Sequence, residues 1–352
     1  MSSPFTLIGY WVTAAMAIWL SATALAYAPV QGLLFQRVYG SNMGHHVAGQ
    51  LARAADGAGP VCLLVGLSTT RAALLTPILE QEAPPLRFVE VTSAGGSIFG
   101  VELIVDMIRS RRLKPACIVL GLHSHLLKER TLALWPAGFL DVTTPDQQVR
   151  FIPREVADER TRTLLEALRR ALWPPVRLST QFNALIRDGL HASQWILAWR
   201  VPLARSEFER RPGDLALFDD VNAPIERAFT AEQRQRFFAD LNRQRLLDAD
   251  TYAKPAHLES LRNLLAESLR LSPIVIVDVL PESEFARSQM SPLADAPFQD
   301  VVAAFTPRLR VFDDRTRVND DGFDVAFHLL RPAAETYSRD FGKRLAPLVS
   351  GQ

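Results

Sequence analysis

The chain predicts an α/β fold built on an open, five-stranded parallel sheet, and two observations predict it. From Gly57 onward, short apolar runs alternate with helical stretches, the rhythm of strand, crossover helix and next strand. The runs have the length and near-continuous apolarity of strands buried on both faces, as the strands of a parallel sheet are.

The elements follow in order. Phe5 to Tyr27 carries no charged side chain, and no Asp, Glu, Lys or Arg precedes Arg37. Those 23 mostly apolar residues are enough to cross the roughly 30 Å hydrocarbon core of a bilayer. This segment reads as a membrane anchor; Ala24-Leu25-Ala26 leaves a cleaved signal peptide as the alternative. The strand candidates are Val61–Gly66, Phe88–Val91, Ala116–Leu120, Ile274–Leu280 and Leu309–Phe312, with helices expected at Thr70–Gln81, after Gly95-Gly96, and over Ala333–Leu345. Between the third and fourth strands the rhythm stops, and Arg154–Trp173, Gln181–Arg187 and Ala231–Leu247 read as helices. The organisation is therefore an anchor at 1–36, a juxtamembrane linker at 37–57 and an α/β domain at 58–352, within which 127–255 is a helical insertion or cap.

Composition excludes several classes. A chain of 352 residues, 48% hydrophobic and 22% charged, is too apolar for general disorder. Its 39 basic and 38 acidic residues leave a net charge of +1, without the cationic footprint that nucleic-acid binding requires. Cys62 and Cys117 each sit inside an apolar run, so two separate thiols are expected rather than a disulfide or a zinc site.

Ligands of an open α/β sheet bind beyond the carboxyl ends of its strands. After the first strand comes Gly66-Leu67-Ser68-Thr69-Thr70-Arg71, which places Ser68 at a strand-to-helix turn, as a nucleophile or as a helix N-cap. After the second comes Ser93-Ala94-Gly95-Gly96-Ser97, where a glycine lets a backbone N–H approach an oxyanion. After the third comes Gly121-Leu122-His123-Ser124-His125, whose H-x-H has no second His or Asp cluster in the sequence to complete a metal site, so no metal is expected. After the fifth lie Asp324 and His328, four residues apart, an acid and base able to serve a serine nucleophile.

That order resembles the SGNH (GDSL-like) hydrolase superfamily over about residues 58–125 and 256–350. The resemblance implies a flavodoxin-like sheet with Ser68 as nucleophile, His328 as base and Asp324 as orienting acid. It also implies oxyanion donors at the Ser68 N–H and at Gly95, with Gly96 the alternative. His123 stands where the family usually has the Asn of G-x-N-D, and Arg71 follows the nucleophile as in anchored members. With its anchor and insertion, the chain is similar to the DltD-, AlgJ- and AlgX-type accessory proteins of MBOAT acyltransferase systems. This implies an O-acyltransferase, acetyl transfer first among the candidates, or an accessory subunit. Its domain would face the periplasm from a bacterial inner membrane, with an MBOAT-type partner and a cell-envelope or exported polysaccharide as acceptor, and without a cofactor. A membrane-tethered serine esterase or deacetylase, and an inactive scaffold for a membrane partner, are the alternatives.

Overall fold

The computed structural model describes residues 43–93, 97–128, 247–324 and 327–349, with isolated residues within 13–21, 139–151 and 228–239. Its centre is a five-stranded parallel sheet in the order β2-β1-β3-β4-β5. The strands are β1 (Val61–Leu67), β2 (Arg87–Ser93), β3 (Cys117–Leu122), β4 (Ile274–Val279) and β5 (Arg310–Asp313). Each expected strand is present, with ends moved by one or two residues.

Alternate side chains of β1 enter two separate cores. Val61, Leu63, Val65 and Leu67 pack on the face covered by α4 (Ile98–Ser110), α5 (Pro255–Leu271) and α6 (Asp295–Ala303). Cys62 and Leu64 pack on the other, against α2 (Ser68–Ala73), α3 (Thr76–Glu82) and α7 (Arg331–Val349). A strand buried on both faces has no polar side to show, which is why β1 reads as an unbroken apolar run.

Three expectations change. The helix expected over Thr70–Gln81 is two, α2 and α3, broken at Leu74 and Leu75. Pro77, in the first turn of α3, has no N–H to continue a helix from α2, and its ring would clash with the Ala73 carbonyl of an unbroken helix. Part of the expected linker is a helix, α1 (Met43–Asp56), which packs on β2 and buries Val47 and Leu51. The two cysteines are joined by a disulfide rather than separate. Parallel pairing sets Cys62 opposite Cys117 with 4.5 Å between their Cα atoms, a proximity invisible across 55 residues of sequence.

The two ends of the long excursion meet. Lys128 and Tyr252 form an antiparallel bridge and the Ala253 N–H donates to the Leu127 carbonyl at 2.7 Å. Most of the expected insertion, like most of the expected anchor, lies outside the described residues. Among the described residues no helix is long and apolar enough to cross a membrane.

A buried polar knot fixes the last helix. The Tyr337 hydroxyl lies 2.7 Å from Asp278 Oδ1 on β4 and 2.9 Å from Asp314 Oδ2, and Arg344 donates to Asp314 Oδ1 at 2.9 Å. Burial, and next the Asp314 charge, push the Asp278 carboxyl well above its ordinary range. The loop between β5 and α7 is thereby held at both ends.

Candidate active site

The strand order reverses direction at β1, which has β2 on one side and β3 on the other. The crevice beyond the carboxyl ends of β1 and β3 is the switch point where such sheets take ligands. Ser68 stands there, half-buried, as the first residue of α2. The cap position belongs to Leu67, which makes no side-chain cap bond. The capping alternative for Ser68 therefore does not describe this turn.

A close approach lets the turn form. Gly66 and Gly121 face each other across β1 and β3, and Thr70 packs over both, its hydroxyl donating to the Gly121 carbonyl at 3.0 Å. A Cβ on Gly66 would lie 2.0 Å from Thr70 Oγ1 and 2.7 Å from the Gly121 carbonyl oxygen. Only a glycine lets α2 sit this close to the strand ends.

The partners of Ser68 come from the loop between β5 and α7. Phe323 and Leu329 bridge in antiparallel fashion, and the Leu330 N–H donates to the Gly322 carbonyl at 2.8 Å. Within that clasp the Asp324 N–H donates to the His328 carbonyl at 3.0 Å. His328 Nδ1 is 3.1 Å from Asp324 Oδ2, and His328 Nε2 is 3.1 Å from Ser68 Oγ. Asp324 is buried, whereas the His328 side chain is 30% exposed. With the Asp324 carboxylate accepting Nδ1–H, Nε2 offers its lone pair to the Ser68 hydroxyl, the arrangement of a general base beside a nucleophile.

The remaining expected residues fall in different places. Gly95 and Gly96 lie outside the described residues; Ser97, just after them, caps α4 by accepting from the Phe99 N–H at 3.2 Å. Arg71 shares α2 with Ser68, but its guanidinium is tied elsewhere. Its Nε donates to Glu90 Oε1 at 2.6 Å and its Nη2 contacts His46 of α1. Burial works to raise the Glu90 carboxyl, but the His46 hydrogen bond and the Arg71 charge outweigh it and hold the group below its ordinary value. Arg71 thus pins α1 and β2 to α2.

His123 follows β3 and is buried, with Nδ1 3.3 Å from Glu282 Oε1. Its ring stacks on His125 at 4.6 Å, and His125 in turn packs on Phe327, the residue before His328. Burial is the first cause holding the His125 imidazole well below its ordinary value. The expectation of no metal rests on the lack of a further ligand near the H-x-H pair, and the fold supplies one in Glu282. The strand-end rule that locates Ser68 applies equally beyond β4, where Glu282 stands three residues past Val279, and is the signal that could have found it. A cavity of about 630 Å³ beside the start of α7 is lined by Asp321, Gly322, Leu330 and Tyr337, and not by Ser68 or His328.

Fold and geometry together define an α/β protein with a hydrogen-bonded Ser–His–Asp chain at the switch point of its sheet. No family model matches the chain, and no curated protein matches its sequence.

Proposed function

We propose that this chain is a membrane-anchored, SGNH-like serine acyl-transfer protein that modifies a cell-envelope or exported polysaccharide, alone or as the accessory subunit of an MBOAT-type acyltransferase. The observation that carries this reading is the placement of His328 Nε2 3.1 Å from Ser68 Oγ, with Asp324 3.1 Å behind the imidazole. Ser68 Oγ attacks the carbonyl of a donor acyl group while His328 takes the hydroxyl proton. The donor's leaving group departs with that proton, and an ester on Ser68 remains. A sugar hydroxyl then gives its proton to His328 and takes the acyl group, restoring the serine. The Ser68 N–H, at the start of α2, and Gly95 would serve as the oxyanion donors.

Two further features support an extracytoplasmic, anchored domain. The Cys62–Cys117 disulfide suits an oxidising compartment. Within the expected anchor, Thr13, Ala14, Met16, Ala17, Leu20 and Ser21 are helical and exposed, with Met16 and Leu20 four residues apart on one helical face.

The test is Ser68→Ala in the producing cell, with ester-linked acyl groups on exported polysaccharide measured after mild base release. Acylation should be lost while the variant stays folded and membrane-bound. Undiminished acylation contradicts the proposal, and an increase points to an esterase acting on the same ester.

A further inference from the structure

His123, His125 and Glu282 converge from the ends of two neighbouring strands. One ring nitrogen from each histidine and one carboxylate oxygen all lie within 4.8 Å of one another, and all three residues are buried. His125 Nδ1 is buried with no hydrogen-bond partner, and His123 faces Glu282 through its Nδ1. An orphaned buried polar atom is costly enough that most folds avoid it.

The contact between His123 and Glu282 is revealing in its length. At 3.3 Å it is long for a charge-assisted hydrogen bond, which settles at about 2.7–2.9 Å. It fits one edge of a coordination tetrahedron, because donors about 2.1 Å from a common ion stand roughly 3.4 Å apart. The other carboxylate oxygen is already held, accepting from the Ser291 hydroxyl at 2.6 Å. This is the outer-shell bond that fixes a metal-binding carboxylate.

We propose that His123, His125 and Glu282 form a binding site for a divalent first-row transition metal, with zinc the best match to two imidazoles and one carboxylate. The 4.8 Å spread is wider than a bound ion holds its donors, so loading draws the group inward by about 1 Å and tilts the stacked rings toward a common point. Glu282 and Ser291 also line a cavity of about 400 Å³, shared with Arg287, Asp295 and Arg315. Because His125 packs on Phe327, the bound ion would brace the loop that carries His328.

The site does not depend on the acyl-transfer reading, and the experiment keeps the two apart. The purified full chain is stripped with chelator and titrated with Co²⁺, reading visible d–d absorption and metal per chain, for wild type, Ser68→Ala, Glu282→Gln and His125→Phe. Expected are one tightly held cobalt in wild type and in Ser68→Ala, and affinity weakened at least about tenfold in the other two, the loss that even an outer-shell partner causes. Zn²⁺ should raise the melting temperature of wild type and leave that of His125→Phe unchanged. His125→Phe keeps an aromatic ring against Phe327 and serves if Glu282→Gln does not fold. Equal binding in all four proteins, or no saturable binding by wild type, would overturn the assignment.

Discussion

Ser68 and His328 are 260 residues apart in the chain, yet the imidazole Nε2 of one lies 3.1 Å from the hydroxyl of the other. Neither side chain reaches across by itself. Gly66 and Gly121 let α2 settle on the strand ends, and the clasp closed between Gly322 and Leu330 delivers the imidazole from the far loop.

The Asp324 carboxylate holds the imidazole in the tautomer that leaves Nε2 free to accept a proton. His328→Ala and Asp324→Asn should each lower turnover of a small aryl ester by about 10²–10⁴-fold, the usual contribution of a positioned base. Unchanged turnover in His328→Ala would remove it from the chemistry.

Gly66 is required by contact. In Gly66→Ala the new methyl meets Thr70 Oγ1 and the Gly121 carbonyl, and the second of these is backbone that cannot swing aside. A loss of about 1–3 kcal/mol in stability is expected, as for other overpacked sites. Serine reactivity should fall with it, read by denaturant melts beside ester turnover.

The half-buried Glu90 links His46, Arg71 and Thr92. Its folded-state pKa lies below the ordinary value, so the stability it confers is present above the ordinary carboxylate range and is lost as pH falls through the folded value. Glu90→Gln should therefore cost about 3 kcal/mol at neutral pH. The gap from wild type should narrow as pH falls below the ordinary carboxylate range, read in urea melts at neutral and at acid pH.

The disulfide closes a loop of 55 residues between two buried cysteines. Chain-entropy arguments put its contribution at about 4 kcal/mol. Protein isolated without reductant should show no maleimide-reactive thiol when denatured and two after reduction, counted by intact mass; two free thiols from the outset would contradict the bond.

Much of the fold was legible because a buried parallel strand writes itself as a short apolar run, as at Val61–Leu67 and Ile274–Val279. Ser68, Asp324 and His328 were legible because each follows a strand, where α/β sheets place their chemistry. What was not legible depends on contacts between distant segments. Cys62 meets Cys117 only through strand register. His46 and Val47 look like linker until β2 is there to receive them. Glu282 joins His123 across 159 residues, and only its place just after β4 marks it in the sequence.

The central claim is that Ser68 is an activated nucleophile. It is tested most directly by labelling the purified chain with a fluorophosphonate, wild type beside Ser68→Ala and His328→Ala. A covalent adduct should form on Ser68 in wild type and in neither variant. A folded wild type that takes no label, or a His328→Ala variant that labels as fast as wild type, would contradict the claim.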